Sequence, residues 1–174
     1  MAIRPILIAP DPKLKAVCSA VARVDDEVRR LVDDMLETMY AFHGVGLAAP
    51  QLGVARRLIV VDCARAEEKP NPIALINPNV VWESEDELCL PEGCLSFPDQ
   101  FADVARPAAV GVRFLGRDGR VQEIEAKDVL ATCIQHEIDH LDGVLFVDHL
   151  SALKRRIILR KLAKMKRSRE PVAV

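Results

Sequence analysis

Gln135-His-Glu-Ile-Asp-His-Leu141 decides how this chain is read, because it sets two histidines four residues apart within a run of helical spacing. Residues i and i+4 share one helix face. His136 and His140 can therefore offer two nitrogens to one metal ion, while Glu137, next to the first, reaches a water bound there. The same pattern also arises in ordinary helices, with both histidines on a solvated face. Asp128 is read as the cap of this helix, which reaches about Leu141, and Gly143 lies just beyond its end.

Working outward, Val110 to Leu115 and Arg120 to Ile124 flank Gly116-Arg-Asp-Gly119, and an Asp-Gly pair between two β-rich runs predicts a hairpin. Farther upstream, Val28, Leu31, Val32, Met35, Leu36 and Met39 repeat at helical spacing behind Asp25, with Gly44 as the stop. Arg57 to Asp62, Ala74 to Ile76 and Val80 to Trp82 read as strands, and residues 64 to 72 as a loop. Downstream, Ser151 to about Arg167 predicts a helix whose Leu153, Ile157, Leu162 and Met165 form an apolar stripe between basic residues. No repeat, linker or boundary divides the chain. The expected fold class is α+β: antiparallel strands packed around a central HExxH helix, with an N-terminal amphipathic helix and a C-terminal basic helix. The expected organisation is one catalytic domain over residues 1–174, with the basic helix at 151–169.

At 174 residues and 50% hydrophobic, the chain can bury a core without disulfides or oligomerisation. Its five cysteines lack regular CxxC spacing, which points to a reducing compartment. Neither a signal-peptide segment nor a run of roughly 20 apolar residues is present, so a cytoplasmic location and no membrane insertion are expected. Charge is segregated: residues 1 to 150 carry 15 Lys and Arg against 25 Asp and Glu, whereas residues 151 to 174 carry 9 against 1.

A catalytic metal site normally has three protein ligands and one open position. A metzincin would place a third histidine where this chain has Phe146, and a thermolysin-like enzyme would need a downstream glutamate, of which only Glu170 exists. Cys94, within Glu92-Gly-Cys-Leu-Ser-Phe-Pro98, is the best upstream candidate, since Gly93 permits unusual backbone geometry and Pro98 ends the segment. A cysteine beside a glycine is equally at home as a small buried hydrophobe, so that alternative stands at this point. Gly44, Gly46 and Ala49 also fit a dinucleotide-binding pattern, but they follow a helix and meet Pro50, the wrong context for it.

Three segments in this order, Gly44-Val-Gly-Leu-Ala-Ala-Pro-Gln51, Glu92-Gly-Cys-Leu-Ser96 and Gln135-His-Glu-Ile-Asp-His-Leu141, resemble the signature motifs of peptide deformylases of the bacterial type with a C-terminal helix. The resemblance implies metal ligation by Cys94, His136 and His140. It implies attack on the formyl group by metal-bound hydroxide with Glu137 as general acid/base, and Gln51 with the Leu95 backbone N–H as oxyanion donors. Val45, Gly46 and Gly93 would border the substrate, the glycines letting backbone lie close to an extended peptide. The implied ion is Fe2+, with Zn2+, Ni2+ or Co2+ able to substitute. The implied partners are an N-formylmethionyl nascent peptide and, through the basic C-terminal helix, ribosomal RNA of the ribosome. The chain departs from the family pattern at Phe97 and Phe101. Cys133 is expected in the core or at the methionine pocket, and His43 and His149 as surface or packing residues. Two other readings use the same residues: a metallopeptidase for ordinary peptide bonds, and a ribosome-binding protein with a structural metal.

Overall fold

Leu58-Ile-Val-Val61 is buried along its whole length, and the alternation of a strand sends its side chains in two directions. The computed structural model describes residues 2–64 and 68–169, with side chains to Met165. Helix α1 (Asp26–Ala41) is followed by strands β1 (Gly46–Ala48), β2 (Leu58–Val61), β3 (Ile73–Glu83), β4 (Glu87–Cys94), β5 (Phe97–Pro107), β6 (Ala109–Leu115) and β7 (Val121–Lys127). Helices α2 (Asp128–Leu141) and α3 (Ala152–Arg169) close the order. The strands form an antiparallel sheet in the order β1-β2-β3-β6-β7 and a separate β4-β5 hairpin.

Leu58 and Val60 pack with Ala74 and Ile76 against Val28, Leu31, Val32, Met35 and Met39 of α1. Ile59 and Val61 pack with Leu75, Val110, Val112 and Phe114 against Ala131, Cys133, Ile134 and Leu141 of α2. The sheet is therefore covered by a helix on each side, which is why β2 reads as a continuous apolar run. Each fully buried Leu, Ile or Val contributes about 1.5–3 kcal/mol. A third cluster joins Phe97 and Val104 of β5 to Leu145, Phe146 and Val147 and to Ile158 and Leu162 of α3.

The α+β expectation holds as a mixed architecture of antiparallel sheets and three helices, and the local details refine it. Asp25 caps α1, accepting from the Val28 N–H at 3.1 Å. Asp128 is not a cap: it is the first residue of α2, with φ +51°, and its N–H extends the neighbouring ladder by donating to Ala108 at 2.9 Å. The two short runs expected over 74–76 and 80–82 are one strand. Asn77 at φ +52° bulges within it, and its side chain holds Val21 through two 2.8 Å hydrogen bonds. Strands β4 and β5 had no sequence expectation, since Pro91, Pro98 and Pro107 mask their alternation. A two-stranded ribbon has free outer edges where proline is tolerated.

On α3 the buried positions are Ile158 and Leu162, with Leu159 and Met165 packed beside them, whereas Leu153 and Ile157 face outward at 66% and 45% exposure. Residues 158, 162 and 165 follow the helical period and 153 and 157 fall on another face, which corrects the expected stripe. Part of the loop expected over 64–72 lies outside the described residues, as do Glu170 and the side chains of Lys166, Arg167 and Arg169. Among the described residues no helix is long and apolar enough to cross a membrane.

Gly143 ends α2 at φ +70°, and a Cβ there would lie 2.4 Å from the Lys15 carbonyl oxygen. Gly53 has a similar φ of +76° but open space around it, its nearest neighbour being 3.9 Å away. Gly143→Ala is expected to cost at least ~2–3 kcal/mol in urea unfolding and Gly53→Ala only ~1 kcal/mol. Equal losses would show that the Lys15 contact carries no energy.

Candidate metal centre

Helix α2 enters the core between the sheet and the β4-β5 hairpin, and the hairpin's first strand ends at Cys94. His136 and His140, four residues apart, present rings 5.1 Å apart between centroids at 74°. The Cys94 Sγ lies 3.3 Å from His140 Nε2, and the three donor atoms of Cys94, His136 and His140 all lie within 4.8 Å of one another. Both imidazoles are buried, at 7% and 1% exposure, so their pairing is a property of the interior rather than of a solvated helix face.

Glu92, two residues before Cys94 on the same strand face, approaches His136 Nδ1 at 2.7 Å. Burial opposes its charge, yet hydrogen bonds donated by His136 and Arg106, together with the Arg106 guanidinium charge, hold its carboxyl down at about 2. An ionised carboxylate only accepts, so Nδ1 carries the proton and Nε2 is the nitrogen turned towards Cys94 and His140. Arg106 on β5 is buried and bridges Glu92 at 3.1 Å to Asp139 of α2 at 2.9 Å, and Asp139 also meets His149 at 2.8 Å. One charged network thus ties both hairpin strands to the helix that carries the histidines.

Glu137 is buried, and its pKa is pushed up to about 7, chiefly by burial, with Glu92 and Asp139 adding to the rise. Its Oε2 and the Nδ1 of His140 are buried without a hydrogen-bond partner among the described residues. Gln51 sits on the 3-10 turn Ala49–Leu52. Its Oε1 accepts from the Ala48 N–H at 2.8 Å, and its Nε2 points to Ser96 Oγ at 3.1 Å and Cys94 Sγ at 3.5 Å. The amide is therefore held with its donor end towards Cys94. Leu95 occupies the turn between β4 and β5.

A cleft of about 510 Å³ opens over this cluster, with Val45, Gly46, Gly93, Cys94, Leu95 and Glu137 among its walls. Its glycines answer steric demands. A Cβ on Gly46 would meet Glu137 Oε1 at 2.4 Å, one on Gly44 would meet Leu95 Cδ1 at 2.8 Å, and one on Gly93 would meet the Phe101 ring at 2.4 Å. Gly93 therefore makes room for an aromatic ring, in place of the unusual backbone expected of it, and Pro98 lies inside β5 rather than ending a segment.

All nine residues singled out by sequence, Val45, Gly46, Gln51, Gly93, Cys94, Leu95, His136, Glu137 and His140, meet in this one region. Cys133 is buried beside it, 3.4 Å from the Val45 carbonyl. His43 is exposed on the cleft wall, and His149 pairs with Asp139. Sequence reasoning gave no role to Glu92, Arg106, Asp139 or Ser96. Glu92 and Asp139 lay within the quoted motifs, but Arg106 carried no local signal, because its partners are 14 and 33 residues away.

A family model described as Polypeptide deformylase matches residues 3–156. A peptide deformylase of Agrobacterium fabrum is 52% identical over 169 residues, spanning 97% of this chain and 99% of that protein. The crystal structure of peptide deformylase from Ehrlichia chaffeensis matches with a TM-score of 0.92 at 39% identity, over 96% of this chain and 98% of that one. One from Legionella pneumophila matches with a TM-score of 0.89 at 45% identity, over 98% and 100%.

The depressed pKa of Glu92 has a signed consequence for stability. The unfolded chain, with this carboxyl near 4.5, takes up its proton before the folded chain does near 2. The stabilisation is fully present above about 4.5 and is lost as pH falls towards about 2. Urea midpoints between pH 6 and pH 2.5 are expected to fall more steeply for the native chain than for Glu92→Gln. Parallel slopes would mean that Glu92 is not ionised in the fold.

Proposed function

The chain belongs to the polypeptide deformylase family, and on that premise we propose that it is a peptide deformylase, a metal-dependent hydrolase that removes the formyl group from the N-terminal methionine of nascent polypeptides. The observation that carries this reading is the meeting of one cysteine sulfur and two imidazoles within 4.8 Å of one another, beside a buried glutamate. One thiolate and two imidazoles suit a borderline transition-metal ion. The fit is supported by the proton on His136 Nδ1, which leaves its Nε2 for the ion, and by the unpartnered Glu137 Oε2.

In this reading Cys94, His136 and His140 hold one divalent ion, Fe2+ as the physiological metal, with Zn2+, Ni2+ or Co2+ able to substitute. The ion supplies Lewis acidity and brings the pKa of water from 15.7 towards ~7. Glu137 takes the proton of the attacking water and returns it to the departing amine. Burial raises the Glu137 pKa above the ordinary carboxylate value, the direction that suits a group taking up and returning a proton near neutral pH. Attack on the formyl carbon gathers charge on the formyl oxygen, to which Gln51 Nε2 and the Leu95 N–H donate. Gln51 is suited to this because its other amide end is already engaged by Ala48 and it introduces no competing charge. Val45, Gly46 and Gly93 border the bound peptide. Residues 1–174 act as a single catalytic domain in the cytoplasm, around a central HExxH helix.

The basic helix α3 is the proposed dock for ribosomal RNA. Arg156, Arg160, Lys161 and Lys164 are exposed along it, and α3 carries no acidic residue. Arg155 is partly neutralised, lying 3.1 Å from Asp148. Because Ile158 and Leu162 belong to the core, removing the helix would damage the fold. Substituting Arg156, Arg160, Lys161 and Lys164 by glutamine should instead weaken ribosome cosedimentation, and the salt slope of native binding should approach about -0.7 to -0.9 per phosphate neutralised. Unchanged cosedimentation at low salt would exclude this role.

Formyl-Met peptides should be hydrolysed while acetyl-Met and unblocked peptides are not, which separates this reading from a metallopeptidase. Glu137→Gln is expected to keep its metal and lose ~10²–10⁴-fold in turnover. Cys94→Ala is expected to lose its metal stoichiometry. A fully active Glu137→Gln, or full metal occupancy in Cys94→Ala, would overturn the assigned roles.

A further inference from the structure

Phe101 is 71% exposed, an unusual state for an aromatic residue in a strand, and yet its position is built into the fold. It pairs with Gly93 across the hairpin, and its ring covers that glycine so closely that a Cβ there would lie 2.4 Å away. The same ring is a wall of two depressions. One is the cleft above Cys94 and Glu137. The other, of about 340 Å³, lies between the hairpin and α3 and is lined by Pro91, Ala102, Asp103, Lys154, Ile157 and Ile158.

Ile157, which with Leu153 breaks the expected stripe of α3, is 45% exposed and borders this second depression. Pro91, Ala102 and Ile157 give it an apolar floor, while Asp103 and Lys154 set one charge of each sign at its rim. An aromatic ring fixed on a glycine joins an apolar trough to the cleft where a polypeptide end is held. Rigid aromatics of this kind bind at little cost in conformational entropy.

We propose that the depression between the β4-β5 hairpin and α3 is an extended substrate subsite, which takes the apolar side chains of a nascent chain a few residues beyond its formylmethionine, with Phe101 as the bridge. This rests on the deformylase reading of the cleft. An extended peptide advances roughly 3.3 Å per residue, so a chain that leaves the cleft past Phe101 reaches Ile157 with residues several places beyond its first. Helix α3 thereby contributes to substrate choice through Ile157, with Lys154 beside it at the rim. The subsite selects chains with Leu, Ile, Val or Phe at about positions four to six over chains with Gly or Ser there.

The test compares kcat/KM of the full-length, metal-loaded protein on formyl-Met peptides of three residues and of seven, the longer ones carrying Leu or Ser at positions four to six. The Leu heptamer is expected to exceed both the Ser heptamer and the trimer roughly fivefold, through KM rather than kcat. Ile157→Asn is expected to abolish that preference. Equal kcat/KM for the two heptamers with the native protein overturns the subsite without recourse to any variant. A preference for Leu that survives Ile157→Asn also overturns it, as does an Ile157→Asn protein that loses ribosome cosedimentation but keeps the preference. Failure to deformylate even the trimer is a different result, since it removes the deformylase reading itself.

Discussion

A carboxylate kept from water decides the arrangement of this molecule. Glu92 is 5% exposed and lies between His136 on α2 and Arg106 on β5. Removing one partner from a buried ion pair leaves an uncompensated charge, which costs several kcal/mol, so the three groups hold one another in register. A second hydrogen bond, from Gln135 Nε2 of α2 to the Pro107 carbonyl of β5 at 3.0 Å, reinforces the same join. Cys94 follows Glu92 by two residues and Leu95 by three, and the position of Glu92 therefore determines where the sulfur and the turn N–H stand relative to the histidines. Arg106 extends the same constraint to Asp139, between the two histidines in sequence, and from there to His149.

The apolar layers give this network a rigid frame. Helix α2 lies on one face of the five-stranded sheet and α1 on the other, and β2 serves both faces. Cys18 closes the end of α2 from outside by donating its N–H to the Leu141 carbonyl at 2.8 Å, and the third cluster seats the hairpin on α3 and on Phe146. Packing of this density leaves side chains few alternative rotamers. The absence of side chains at three glycines is accordingly as specific as any contact. Gly44, Gly46 and Gly93 are the places where Leu95, Glu137 and Phe101 lie.

Burial also sets the chemistry. Glu92 and Glu137 stand a short way apart with their pKa values displaced in opposite directions, to about 2 and about 7. The difference arises from partners: Glu92 has an arginine and an imidazole, whereas burial dominates at Glu137 and one of its oxygens is unpaired. One carboxyl is held as a structural anion, and the other is the one to which the proposed mechanism gives the proton exchange. That division of labour between two glutamates is the electrostatic content of the site.

The sequence by itself determined what depends on local order. Four-residue spacing placed His136 and His140 on one helix face, Asp25 and the apolar period located α1, and the Asp-Gly pair located the β6-β7 hairpin, because each of these is a matter of neighbours along the chain. Three motifs, through their resemblance to peptide deformylase signatures, pointed to Gln51, Cys94 and Glu137 as members of one site. Only the tertiary structure decided what depends on residues far apart. Arg106 is recognisable as a partner of Glu92 and Asp139 once β5 is folded against α2, and nothing near it in sequence distinguishes it from a surface arginine. Proline residues concealed β4 and β5, since their legality depends on the strands' place in a two-stranded ribbon. Leu162 and Met165 of the expected α3 stripe are in the buried cluster but Leu153 and Ile157 are not, because helical period alone leaves several faces open. Contact with Phe97 and Phe146 selects the one bearing Ile158 and Leu162, and so turns Ile157 outward beside Phe101.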